Sequence, residues 1–318
     1  MNAAHRVSLI IPCYRDSATL ARAIASATAQ TRQIDEVVVV NDCSPETLQI
    51  EQVLHTYPGV VYVKNAANLG LAATRNVGIR VATGDVIAFL DADDELHPQK
   101  IEFQLSLLRD GAAVACGVRI IRGRQRTFTC PQYLRIGAVR TVTSDKRLLF
   151  RNPLTGASLM ASRDLLLRVG CYDESLRSCE DFDLWFRLIE HGAVIFELTM
   201  PLYFYYFNPL GLSKNLQSIS HWEIEVLKQH FSRGRNGQYS RSLQSIVWAA
   251  WSCKHFARAE IAGDKVLRKR TLENVQRLIA WPLLAGLVTL LGRMHFFLPY
   301  SWLWRIFDAV RRKFPGAL

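Results

Sequence analysis

Four apolar residues, Ile87, Ala88, Phe89 and Leu90, run directly into Asp91, Ala92, Asp93, Asp94 and Glu95. An uninterrupted apolar run of this length suits a strand buried on both faces, the condition of a parallel sheet with helices above and below. The carboxylates then fall at the C-terminal end of the strand, where open α/β sheets place their ligands. Acidic groups this close repel one another unless a cation neutralises them, and a hard divalent ion such as Mg²⁺ is the natural partner. Such an ion takes one or two protein carboxylates and completes its shell with water and phosphate oxygens. A solvated acidic turn capping a helix near His97 and Pro98 accounts for the same residues, because Asp is frequent at turns and N-caps.

The flanking sequence repeats the pattern. Residues 7–11 form a short apolar strand, stopped by Pro12 and followed by the polar turn 13–16. Ser17 is placed to cap a helix whose Leu20, Ile24 and Ala27 share a face. Residues 36–40 are a second buried strand, again ending in a polar cluster, Asn41 to Pro45, and residues 60–63 are a third. A helix over 71–82 leads back to the strand before Asp91. This alternation predicts a doubly wound, mostly parallel α/β sheet with three polar strand ends available to one ligand.

Further along, a helix is expected over 98–108, a strand over 113–121 and a loop-rich excursion over 122–150. Residues 181–189 have strong helical periodicity, with Phe182, Trp185, Phe186 and Ile189 apolar and an Asp183–Arg187 ion pair at i,i+4. Trp185 and Phe186 are expected in the core. A strand over 193–200 follows, and the aromatic stretch 203–213, with Pro209 and Gly211, is expected to fold over the site.

Composition limits the class. Hydrophobic residues make up 49% and charged ones 21%, which excludes a disordered chain. The seven cysteines form no Cys-x-x-Cys pair, and the polar N-terminus carries no signal peptide, so reduced thiols in a cytosolic compartment are expected. The net charge of +11 is uneven: residues 216–318 hold 16 of the 39 Lys and Arg but 6 of the 28 Asp and Glu. There, Lys265, Arg268, Lys269 and Arg270 precede an apolar stretch, 278–291, which is shorter than the ~20 residues of a spanning helix. Trp281, Tyr300, Trp302 and Trp304 suit a water–lipid interface, and Arg305, Arg311, Arg312 and Lys313 suit anionic headgroups. A monotopic association with the cytoplasmic, inner face of the plasma membrane is expected; the alternative is a helical appendage packed on the preceding domain. No nucleic-acid motif accompanies the charge, so no nucleic-acid partner is expected.

Three blocks carry a resemblance. They are residues 7–14 running on to 36–44; residues 68–78 leading into 90–94; and residues 170–176 running on to 180–185. In order and spacing they resemble the inverting family 2 glycosyltransferases of the GT-A fold, over roughly residues 5–215. The resemblance implies a catalytic domain at 1–215; the family motifs stop there, and the charge and apolar pattern of 216–318 lead us to expect a helical, basic, membrane-associating region. It implies transfer from a nucleotide-diphospho-sugar, most commonly a UDP-sugar, to a glycan or lipid-linked hydroxyl acceptor in surface polysaccharide or glycolipid synthesis. A non-catalytic sugar-nucleotide-binding or scaffold subunit is the alternative.

By the same resemblance, Asp42 recognises the nucleotide base, with Pro12 and Tyr14 beside it, and Arg75 contacts the diphosphate. Asp91 lies near the ribose or sugar, and Asp93 ligates Mg²⁺ or Mn²⁺. Asp181 is the base that takes the acceptor's proton, kept ionised by its helix N-terminus. Glu180 and Asp94 are supporting residues, and Asp94 is expected to cap the following helix. The chain departs from the family at Asn41 and Cys43, where Asp and Gly are common, and at Tyr206 and Asn208, where Arg and His are common. A protein contact to the diphosphate or metal is therefore weaker here or supplied elsewhere.

Overall fold

The computed structural model describes residues 5–122, 137–152, 154–208, 211, 215–234 and 239–293. They fall into two compact units, 1–148 with 152–210 and 149–151 with 211–318. The first opens with β1 (Val7–Cys13), α1 (Ser17–Thr28), β2 (Glu36–Asn41), α2 (Thr47–Leu54), β3 (Val60–Lys64), α3 (Leu71–Val81) and β4 (Val86–Phe89). Strands β3, β2, β1 and β4 lie side by side in that order and are parallel. Every residue of β1 and β4 is buried, which is why both read as apolar runs without alternation. Helix α1 seals one layer with Leu20, Ala23, Ile24 and Ala27, a single face at i, i+3, i+4 and i+7.

Pro12 does not end β1. It pairs with Val40, and the strand continues to Cys13. The pairing of β1 with β4 ends at Ile10 and Phe89, so that edge asks no N–H of position 12. Helix α3 sits unusually close to β1, because a Cβ at Gly78 would overlap the Ile10 side chain.

Beyond β4 the sheet becomes mixed. The chain continues through β5 (Glu95–Leu96), α4 (Lys100–Leu107), β6 (Ala112–Ile121), β7 (Val139–Val142), β8 (Met160–Ser162), α5 (Arg163–Arg168), α6 (Glu180–Glu190) and β9 (Val194–Tyr206). Strand β8 is antiparallel to both β4 and β6, β9 is parallel to β6, and β5 and β7 pair antiparallel with β9. The expected excursion over 122–150 thus contains a strand, β7, and a 3-10 turn at Asp145–Phe150; residues 123–136 of it lie outside the described residues. The expectation that 203–213 folds over the site needs correcting as well. Tyr203 to Tyr206 complete β9, where aromatic side chains pack well on a pleated surface. Pro209 lies outside the described residues.

Among the described residues the second unit holds four helices, α7 (Leu216–Arg233), α8 (Arg241–Ala262), α9 (Lys265–Leu278) and α10 (Pro282–Arg293). Side chains of Asn215, Ser240 and Asp264 accept backbone N–H bonds and cap the first three. Buried Glu223 on α7 ties to α8 through Lys254 at 2.9 Å, His255 at 3.0 Å and Arg258. The apolar stretch 278–291 is divided between the end of α9 and α10, with Pro282 opening the latter at a position proline tolerates. Among the described residues no helix is long and apolar enough to cross a membrane. Tyr300, Trp302, Trp304, Arg305, Arg311, Arg312 and Lys313 lie outside the described residues.

Candidate active site

The carboxylates after β4 separate into different roles. Asp94 is fully buried and does not cap a helix; α4 begins at Lys100, with Gln99 at its N-cap. Instead the Tyr203 hydroxyl donates to Asp94 at 2.8 Å and the Tyr206 backbone N–H donates at 2.7 Å, anchoring the turn to β9. Burial, with Asp91 and Asp93 nearby, raises the Asp94 carboxyl well above the ordinary carboxylate range. Tyr203 also accepts the Asp91 backbone N–H at 3.1 Å, so one phenol fixes both ends of the acidic turn.

Asp91 and Asp93 are only partly buried. Burial pushes Asp93 up to about 6, with Asp91 and Asp16 adding repulsion. Asp16, just past the end of β1, is likewise raised to about 6 by burial and by Asp91. Two neighbouring strand ends therefore share an excess of negative charge. Asp16 was hidden in the polar turn 13–16, where its strand-end position was the only sign of it. Among the described residues no three His, Cys, Asp or Glu side chains converge into a complete metal cage.

Arg75 is paired within the protein. Its guanidinium is almost wholly buried, donating to Glu180 at 2.6 Å and to Asp91 at 2.9 Å. Its Nε is buried and, among the described residues, has no hydrogen-bond partner, and its Cζ lies 5.4 Å from the centre of the Tyr172 ring. With both terminal nitrogens engaged, Arg75 presents no free fork to a diphosphate. It is a bracket that joins the strand-end Asp91 to the start of α6. The partners are 16 and 105 residues away, which is why spacing alone did not reveal the triad.

Asp181 occupies the first turn of α6, beside Glu180. The Gly156 N–H donates to one carboxylate oxygen at 3.0 Å, and the Asn152 amide approaches the other at 3.4 Å. Position 156 must be glycine, because a Cβ there would lie 2.7 Å from the Asp181 Cβ. Burial pushes Asp181 up to about 7, Glu180 adds to this, and Arg75 opposes it. The helix N-terminus was expected to keep this group ionised; desolvation outweighs it. The result is a carboxylate basic enough to accept a proton near neutral pH.

At the end of β2, Asp42 is buried and accepts backbone N–H bonds from Leu69 at 2.8 Å and Gly70 at 2.9 Å, plus the Asn65 amide at 2.8 Å. In this structure Asp42 fixes the loop that enters α3. Asn41 is buried too: its amide donates to Thr47 and Tyr62, and its oxygen accepts the Ser44 N–H. Cys43 has φ +52°, a left-handed conformation that glycine adopts without strain. Pro12 is buried within β1, whereas Tyr14 is exposed at the strand's end, with the Arg15 guanidinium 5.3 Å from its ring.

This layout, acidic strand ends facing a carboxylate held at a helix start, coincides with a family. The sequence profile of Glycosyl transferase family 2 matches residues 8–183, more than half of the chain. The chain belongs to glycosyltransferase family 2. An uncharacterized glycosyltransferase of Haemophilus influenzae is 28% identical over 230 residues, which is 71% of this chain and 76% of that protein. One of Rickettsia prowazekii is 29% identical over 195 residues, and the match spans 61% of its length. Among solved structures, Staphylococcus aureus TarS 1–349 in complex with UDP-GlcNAc aligns with TM-score 0.65 at 16% identity, covering 97% of this chain and 92% of that one. At that identity the likeness shows the fold, a GT-A α/β architecture followed by C-terminal helices.

Proposed function

We propose that this family 2 member is an inverting glycosyltransferase that moves a sugar from a nucleotide-diphospho-sugar, first of all a UDP-sugar, to a hydroxyl acceptor, with Asp181 as general base. The observation that carries this reading is the Asp181 carboxylate, raised to about 7 and oriented by Gly156 at the start of α6. Inversion needs a single base and no covalent intermediate. As the acceptor oxygen forms its bond to the anomeric carbon, its proton passes to Asp181, and the diphosphate departs with the bonding electrons. The UDP-GlcNAc complex of TarS, a protein of the same fold, supports a UDP-sugar as donor.

The strand-end residues fit a hard divalent ion, Mg²⁺ or Mn²⁺. Repulsion among Asp93, Asp91 and Asp16 leaves negative charge that such an ion would neutralise. Asp93 would hold it, with the other ligands drawn from water and phosphate oxygens. When bound, the ion supplies Lewis-acid stabilisation of the leaving diphosphate.

The acceptor in this reading is a glycan or lipid-linked hydroxyl of a surface polysaccharide or glycolipid, reached from the inner face of the plasma membrane. The C-terminal unit supports that location. Leu283, Leu287 and Leu290 on α10 are exposed at i, i+4 and i+7, Leu283 by 91%. On α9, Lys265, Lys269, Arg270 and Arg277 are exposed as well. An apolar stripe beside cations suits an anionic bilayer surface.

The test is Asp181→Asn, which keeps the size of the side chain but removes the base. Turnover falls by about 10²-fold or more, the scale of one positioned base, while donor affinity is nearly unchanged. Loss of donor affinity together with turnover would instead indicate disruption of α6.

A further inference from the structure

A transferase of this kind must receive a diphosphate in a cleft lined by carboxylates. Its most central arginine, Arg75, is sealed between Asp91 and Glu180. The cation that borders the acidic turn in the open comes from α1. The Arg22 guanidinium donates through Nη2 to the Asp93 backbone carbonyl, and its Nε lies 2.8 Å from Glu95. Its plane rests 3.7 Å from the centre of the Tyr206 ring, whose hydroxyl donates to the same Glu95 oxygen at 2.8 Å. The side chain is 37% exposed.

These contacts hold a partly exposed guanidinium in one orientation beside the acidic turn. Carbonyl, carboxylate and ring each fix a different direction, so little side-chain freedom is left to lose when an anion arrives. A planar, permanently charged fork of this kind matches phosphate oxygens better than an ammonium does. The other exposed cations nearby are held less firmly. Arg15 lies over the Tyr14 ring at 5.3 Å and near Glu46, and Arg177 donates to the Leu69 carbonyl at 3.3 Å.

We propose that Arg22, braced by Asp93, Glu95 and Tyr206, is the residue that binds the donor's diphosphate. This rests on the reading of the cleft as a sugar-nucleotide site. Arg22 compensates the charge that develops on the leaving group, the work that Arg75 is too deeply paired to do. Its role is therefore specific to the phosphates and indifferent to the nucleoside.

The experiment compares equilibrium binding of UDP and of uridine, in the presence of Mg²⁺, to the wild-type protein and to Arg22→Met and Arg22→Lys. The methionine keeps apolar contact with Tyr206 and removes the charge. Arg22→Met weakens UDP about tenfold or more, as expected for a lost charged hydrogen bond, and leaves uridine binding unchanged. Arg22→Lys restores part of the UDP affinity. Unchanged UDP affinity in Arg22→Met, or equal weakening of UDP and uridine, overturns the assignment while leaving the donor reading standing. A wild-type protein that binds no UDP overturns the UDP-donor reading and this assignment with it.

Discussion

At the scale of single residues, the site is governed by where charge is buried and what faces it. Asp91 and Glu180 depend on one guanidinium, so Arg75→Met leaves two carboxylates without their partner. Removing one member of a buried ion network costs about 3–5 kcal/mol, and the variant's chemical-denaturation midpoint should fall accordingly. Asp181 predicts a pH dependence whose sign is fixed by its role. The base works only when deprotonated, and burial raises its pKa to about 7. The kcat/KM profile should therefore decline as pH falls through about 7, rather than near the ordinary carboxylate range of about 4. A profile flat down to pH 5 contradicts this role. Asp94 shows how local reading misleads: an aspartate after a strand and before a helix looks like a cap, yet its partners, Tyr203 and Tyr206, lie more than a hundred residues away.

At the scale of elements, close packing rather than composition sets the geometry. Gly78 lets α3 settle onto β1, and Gly156 lets the loop before β8 touch Asp181. Gly78→Ala should destabilise the protein by about 1–3 kcal/mol, the range for an overpacked core, as read from its thermal or denaturant midpoint. Gly156→Ala should lower turnover while shifting stability less, because the new methyl displaces the Asp181 side chain. The central strands were legible because a strand buried on both faces is mostly apolar, as Leu9 to Ile11 of β1, Val37 to Val40 of β2 and all of β4 are. Helix α6 was legible from its period. Strands β5, β7 and β8 were not, since two to four residues carry no period and these strands exist through their partners. The same division runs through the site. Asp91, Asp93 and Asp181 stand at element ends and could be picked out, whereas the Arg75 triad and the Arg22 brace are assembled by the fold from distant segments.

At the scale of the whole molecule, a nearly neutral α/β unit is followed by a basic helical one. Binding of the full-length protein to anionic vesicles should weaken as salt rises, since each basic residue near the surface contributes about 1 kcal/mol that screening reduces. Replacing Leu283, Leu287 and Leu290 by Ser should remove the salt-resistant part, as read by vesicle co-sedimentation; unchanged binding would place the contact elsewhere. The central claim, transfer from a sugar nucleotide with inversion, is tested most directly by turnover on a panel of sugar nucleotides. Free nucleoside diphosphate and the anomeric configuration of the glycosylated product are measured together. The account predicts release of UDP from a UDP-sugar in step with a product of inverted configuration. A product of retained configuration, or no turnover of any sugar nucleotide with hydroxyl acceptors, would contradict it.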